Sequence, residues 1–125
     1  MLIQVLKSKL KKVKVTAASV DYEGSLTLDP DLMDAARLIP YERVEINAVY
    51  GKDRLVTYVI PGKRGSGQVE MNGGMANFFK PGDWIHVNCF FFIDPFLKDP
   101  NGNRANLSEW IPIVVKTDEN NKVID

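Results

Sequence analysis

Apolar and polar residues alternate along much of this chain with a period of two. Val13 and Val15 alternate with Lys12, Lys14 and Thr16, the pattern of a strand with one face buried. Met1 to Leu6 is apolar enough to be a further strand or the opening of one long bent strand. Glu42 to Tyr50 sets Val44, Ile46, Ala48 and Tyr50 on one face. Gly51-Lys52-Asp53 predicts a hairpin turn, with Arg54 to Ile60 as the return strand. Gln68 to Met71 is a short strand ended by Asn72-Gly73-Gly74, a strong turn signal. Met75 to Phe79 suits one helical turn. Pro81-Gly82-Asp83 leads into Trp84 to Phe92, a strand with a heavy apolar load. Asp94 to Ser108, rich in Pro, Gly and Asn, is the least ordered stretch by composition. Trp110 to Thr117 and Lys122 to Asp125 predict a last hairpin around Glu119-Asn120-Asn121.

One segment breaks the period-two pattern. Asp29 to Pro40 predicts a helix of about three turns. Asp29 suits the N-cap and Pro30 the first helical position. Asp31 and Asp34 favour the positive end of the dipole and Arg37 the negative end. Leu32, Ala35, Ala36 and Ile39 share a face, and Pro40 stops the helix. With seven or eight short strands and turn signals every eight to twelve residues, the pattern predicts an all-β fold, a small barrel or sandwich rather than a doubly wound sheet.

Composition narrows the chemistry. The 125 residues form one domain, 1–125. Sixteen basic residues balance sixteen acidic ones, so no net field draws the chain to nucleic acid or to an anionic membrane. With one cysteine, Cys89, and one histidine, His86, it has no internal disulfide, and a four-ligand Cys/His zinc site cannot be filled. No apolar run reaches membrane-spanning length. The charge near the N-terminus follows the apolar part, unlike a secretion signal, so the expected location is the cytoplasm.

Most candidate motifs then fall away. Gly62-Lys63-Arg64-Gly65-Ser66-Gly67 lacks the spacing of a phosphate-binding loop and reads as a surface loop. His86 and Cys89 point to opposite sheet faces and cannot form a dyad. Phe90, Phe91 and Phe92 read as core or subunit interface. The lysines from Lys7 to Lys14 make either a solvated strand face or a strip for an anionic partner, and the second option leaves a small β-barrel binding module as an alternative function.

Tyr22-Glu23-Gly24-Ser25 holds a rarer option. A hydroxyl one residue beyond a glycine carbonyl can attack that carbonyl if the backbone is strained and the oxyanion is stabilised, and glycine permits such strain. The amide becomes an ester, elimination cuts the chain, and hydrolysis of the resulting dehydroalanine leaves an N-terminal pyruvoyl group.

Here the sequence resembles the pyruvoyl-dependent aspartate 1-decarboxylase family. The matching stretches are Lys9-Leu10, Val13-Lys14-Val15-Thr16, Tyr22-Glu23-Gly24-Ser25, Asp34-Ala35-Ala36, Thr57-Tyr58, Arg64-Gly65-Ser66, Asn72-Gly73 and Gly82-Asp83. They keep the family's order and spacing to about Phe92, roughly three-quarters of the 125 residues. The resemblance implies a double-psi β-barrel, assembled as a homotetramer with active sites between subunits. It implies cleavage between Gly24 and Ser25 into a β chain, 1–24, and an α chain, 25–125, with Ser25 becoming the pyruvoyl cofactor. No metal and no pyridoxal phosphate are expected. The implied substrate is L-aspartate, converted to β-alanine for pantothenate synthesis. Tyr58 is the implied proton donor, Thr57 assists cleavage and contacts substrate, and the backbone of Gly73, Gly74 and Met75 lies against the substrate. Lys9 and Arg54 align with the residues that hold its carboxylates. A dianion with one amine does need two cations and an electrophile, and an arginine fork matches a carboxylate. Asn72 is a candidate supporting partner. Asn47, Lys11 and the Gly74-Met75 pair depart from the family's pattern, and whether maturation uses a helper protein stays open.

Overall fold

The N-terminal half of the barrel is organised by one long strand, β1 (Ile3–Lys14), bent at two irregularities in its antiparallel pairing with β7 (Trp84–Ile93). The computed structural model describes residues 1–96, 98, 100–103 and 110–125. Residues 97, 99 and 104–108 of the Asn-, Gly- and Pro-rich stretch therefore lie outside the described residues. At the first bulge, between Leu6 and Ser8, Lys7 is the extra residue. Its Nζ donates to Glu42 Oε2 at 2.6 Å and to the Arg37 carbonyl at 2.7 Å. At the second, between Leu10 and Val13, Lys12 takes φ +59°. Its N–H donates to His86 Nδ1 at 3.0 Å.

Val15 and Thr16 carry the chain from β1 into β2 (Ala17–Ser19), which pairs parallel with β6 (Val69–Asn72). The other strands are β3 (Ser25–Leu28), β4 (Arg43–Ala48), β5 (Arg54–Pro61), β8 (Ile113–Thr117) and β9 (Val123–Ile124). Among the described residues, nine strands order as β2-β6-β3-β5-β4-β7-β1-β8-β9. β2 stands first and β1 seventh, yet only two residues separate them, so the sheet must close on itself. Thr16 completes the seam, its N–H donating to the Val69 carbonyl at 2.8 Å. Leu10, Leu26, Ile46, Val59, Met71 and Ile85 fill the interior, each fully buried. The fold is thus an all-β barrel, the class that the alternating pattern and the resemblance both predict.

Several elements differ from the sequence reading. The helix α1 spans only Pro30–Ala36. Arg37 adopts a left-handed conformation, with Arg37 N–H donating to the Asp34 carbonyl and Leu38 N–H to the Met33 carbonyl. These two bonds form the Schellman stop, which ends the helix at Ala36, four residues before Pro40. Ile39, predicted on the buried helix face, is consequently exposed, and Leu38 is buried instead. β4 ends at Ala48, so Tyr50 lies beyond the strand and is exposed. Two short strands were not predicted. β2 has three residues and β3 four, runs too short for a period of two to stand out.

The glycine-rich loop is more than a surface loop. Its amides wrap a carboxylate of the chain itself: Gly65 N–H donates to Asp29 Oδ1 at 3.0 Å and Gly67 N–H to Oδ2 at 2.8 Å. Asp29 also caps α1 through Asp31 N–H at 2.8 Å. Arg64 clamps Asp31 and Asp34 at 2.7 and 2.8 Å. Burial pushes the Asp29 carboxyl up, but the N–H groups of Gly67, Asp31 and Gly65, with Lys122 nearby, outweigh it and hold the group below the ordinary value. A lowered folded pKa stabilises the fold above the unfolded value, and that stability is lost as pH falls through the folded one. Asp29→Asn is therefore expected to cost about 1–3 kcal/mol at pH 7. Its deficit should shrink below about pH 4, where the native carboxyl also protonates. Urea melts of both proteins at pH 7 and pH 3 check this, and an equal deficit at both pH values would contradict it.

Candidate active site

β3 leads its neighbours to Ser25. It runs antiparallel to β6 with Ser25 opposite Asn72 and Thr27 opposite Glu70. It runs parallel to β5 with Leu26 beside Val59, which brings Ser25 alongside Tyr58. Ser25, Asn72 and Tyr58 therefore share one face of three adjacent strands. Ser25 is only 2% exposed. Asn72, itself buried, donates from Nδ2 to Ser25 Oγ at 3.1 Å and to Thr27 Oγ1 at 2.8 Å. The amide thus fixes the serine hydroxyl oxygen in place, and Asn72 emerges as the direct partner of Ser25.

These residues border a cleft of about 590 Å³ lined also by Tyr22, Glu23, Gly24, Tyr41 and Glu70. Tyr41 went unremarked in the sequence. It follows Pro40 and takes φ +70°, unusual for a tyrosine. Its N–H donates to the Val59 carbonyl at 2.7 Å. Its ring packs on Tyr58, centroids 6.1 Å apart and planes tilted by 37°. The only available signal was the Pro40-Tyr41 break between helix and strand.

The other predicted residues are distributed around this cleft. Gly73 opens a 3₁₀ helix, Gly73–Asn77, that also contains Gly74 and Met75. Gly73 has φ +69° and packs against the backbone of Gly24. Thr57 lies across from Val44, on the opposite face of β5 from Tyr58. Arg54 starts β5 opposite Asn47, about 13 Å along the strand from Tyr58. Its side chain is 61% exposed, with Glu45 3.9 Å away. Lys9 pairs with Asn88 on β7 and Val114 on β8. Neither cation lines the cleft, whose charged residues are Glu23 and Glu70.

The remaining chemistry-bearing groups are occupied elsewhere. Burial, reinforced by the neighbouring Glu42 carboxylate, pushes the Cys89 thiol up to about 12. The thiol donates to Glu42 Oε2 at 2.9 Å. Burial and the nearby Lys9, Lys11 and Lys12 charges lower the His86 pKa, so the ring stays neutral, with the Nε2 proton opposite the accepting Nδ1. The lysine strip does not present one cationic face. Lys7 is turned into its Glu42 pair, and Lys12 and Lys14 lie over the Trp84 ring at 5.5 and 5.0 Å. Among the described residues, no three His, Cys, Asp or Glu side chains group in a way that could hold a metal, and no helix is long and apolar enough to cross a membrane.

The class is a closed β-barrel in which a buried serine follows a glycine, its hydroxyl oxygen bonded by an amide, with a tyrosine one strand away on the same cleft. Sequence comparison gives that class its family. The family model described as aspartate decarboxylase matches residues 1–124. An aspartate 1-decarboxylase of Salinibacter ruber is 40% identical over 97% of this chain and 77% of its own length. That of Acetivibrio thermocellus is 38% identical over 100% of this chain and 92% of its own length. That of Porphyromonas gingivalis is 48% identical over 72% of this chain and 76% of its own length. The chain belongs to the aspartate decarboxylase family.

The Cys89 environment carries its own test. A buried thiol with so high a pKa is expected to resist iodoacetamide at pH 8 in the folded protein and to react fully once unfolded. Stoichiometric labelling of the native chain, read by mass spectrometry, would refute that picture.

Proposed function

We propose that the chain cuts itself between Gly24 and Ser25 and then decarboxylates L-aspartate to β-alanine and CO₂, supplying pantothenate and coenzyme A synthesis in the cytoplasm. The observation that carries this reading is the Asn72 amide on the oxygen of a buried serine that directly follows Gly24. Ser25 Oγ adds to the Gly24 carbonyl carbon, the peptide C–N bond breaks, and the nitrogen takes the hydroxyl proton, leaving an ester and a free amine. Loss of the Ser25 α-proton expels the Gly24 carboxylate and leaves dehydroalanine. Water replaces the nitrogen, which departs as ammonia, and the α chain, 25–125, begins with a ketone. The residues present fit that group: its precursor is buried, tethered at Oγ and open to the cleft.

When formed, the pyruvoyl group supplies an electrophile for the substrate amine and a sink for the electron pair left by CO₂. The tyrosine hydroxyl of Tyr58, one strand from Ser25, is the group positioned to return a proton to the substrate carbon. The ring of Tyr41 restricts where that hydroxyl can swing. Aspartate brings two carboxylates to a cleft whose own charges are acidic. Lys9 and Arg54 face outward on the same side of the sheet as Tyr58, so a second copy of the chain can bring them to the cleft. A cleft without cations of its own supports active sites between subunits, as in the homotetramer that the resemblance implies. The alternative, an anionic partner held by the Lys7–Lys14 strip, gains no support from a strip in which Lys7, Lys12 and Lys14 are engaged internally.

Intact-mass analysis of the purified chain is expected to give fragments 1–24 and 25–125, the larger carrying a ketone that borohydride reduces. Ser25→Ala should give one uncut, inactive polypeptide, and β-alanine production by that uncut variant would overturn the reading. Tyr58→Phe should still cut but lose about a hundredfold or more in kcat. Native turnover in Tyr58→Phe would remove the tyrosine from the proton-donor role.

A further inference from the structure

Asn72 and Gly73 are consecutive, and they touch the two halves of one peptide unit. Asn72 holds the hydroxyl of Ser25. Gly73 meets the residue before it. A Cβ placed on Gly73 would stand 2.8 Å from Gly24 Cα, 3.0 Å from Gly24 N and 3.3 Å from the Tyr22 carbonyl oxygen. Gly24 itself has open space where its own Cβ would be. The backbone of Gly24 is therefore backed by the bare Cα of Gly73 on one side and by no atom where its own Cβ would point.

We infer that Gly73 is a positioning residue for self-cleavage: its missing side chain is the wall that sets the Gly24 carbonyl for attack by Ser25 Oγ. The inference rests on the cleavage proposed above and adds the residue that aims the electrophile. Carbon atoms in ordinary contact sit about 3.5–4.0 Å apart. A methyl group at 2.8 Å from Gly24 Cα must displace Gly24 by a large fraction of an ångström. Reacting atoms misplaced by about 1 Å lose about a hundredfold in rate. The nucleophile is untouched by such a change, because Asn72 still holds it from the strand. One short segment, where β6 passes into the 3₁₀ helix, thus fixes both reacting partners: a side-chain amide for the oxygen and an absent side chain for the carbonyl.

The test follows chain cleavage over time in freshly made protein by intact-mass measurement. The native chain should cut at Gly24–Ser25, and its failure to do so would sink the proposed function itself. Gly73→Ala should fold, with a thermal midpoint like that of a control, and cut ten- to a hundredfold more slowly. The control is Gly82→Ala. Gly82 shares the positive φ, at +95°, but has open space at its Cβ position. It separates backbone strain from contact with Gly24 and should cut at the native rate. Gly73→Asn is the second variant, since asparagine tolerates the left-handed region and keeps the fold, while its Cβ still meets Gly24. It too should cut slowly. Cleavage of either Gly73 variant at the native rate beside a cutting native chain overturns the wall, as does equal slowing by Gly82→Ala.

Discussion

The pairing of β3 with β6 is the constraint on which the site depends. With Ser25 opposite Asn72, the amide reaches the hydroxyl. With Leu26 beside Val59 on the other flank, Tyr58 stands next in line. Strand register has a side-chain period of two, so a slip by one residue would turn Ser25 into the core and bring Leu26 out to the cleft. The fully buried Leu26 and Leu28 prevent that slip. Hydrophobic burial on the inner face of β3 is therefore what aims the chemistry on its outer face. Barrel closure reinforces it, because Thr16 ties β6 to the end of β1 through both its N–H and its hydroxyl.

A second chain of contacts runs from the first bulge of β1 to the rim of the cleft. Glu42 accepts from Lys7 and Cys89 at one oxygen and from the Ile39 N–H at the other. Burial pushes the Glu42 carboxyl up, but the bonds from Cys89, Lys7 and Ile39 and the charge of Lys7 leave it lowered overall. The ionised carboxylate thus ties together β1, the segment after α1 and β7. It stands next to Tyr41, whose left-handed backbone is fixed by Val59 on one side and this anchored Glu42 on the other. Lys7 thus anchors the residue that directly follows Tyr41, thirty-five positions further along the sequence.

What the sequence made legible follows from which forces are local. Alternation in Val44 and Ile46, the turn residues Gly82-Asp83 and the N-cap Asp29 each act within a few residues, and each is realised. β3 is hard to read because Ser25-Leu26-Thr27-Leu28 alternates over only four residues, too short a run to stand out between the Gly24 turn and the Asp29 cap. The early end of α1 depends on Arg37 turning left-handed, with its carbonyl taken by Lys7 from another strand. The glycine loop looked idle because its anion, Asp29, lies more than thirty residues away in sequence. In the site, Gly24, Ser25 and Tyr58 could be named from the sequence, while Asn72 acquired a definite partner and Tyr41 a place only from pairing between distant strands.

The distribution of charge around Ser25 separates the two steps of the proposed reaction. The acyl shift that would open self-cleavage moves a proton within one peptide unit, from the Ser25 hydroxyl to its own nitrogen. Its first requirement is geometric, and Ser25, Asn72 and Gly73 come together within one chain. Decarboxylation must hold a dianion, and a cleft bordered by Glu23 and Glu70 repels one. The cations Lys9 and the exposed Arg54 lie away from their own cleft. On this reading, the barrel encodes maturation locally and leaves substrate capture to assembly. An acidic single-chain cleft is then no obstacle to the first step, and it makes the second step dependent on the neighbouring subunit.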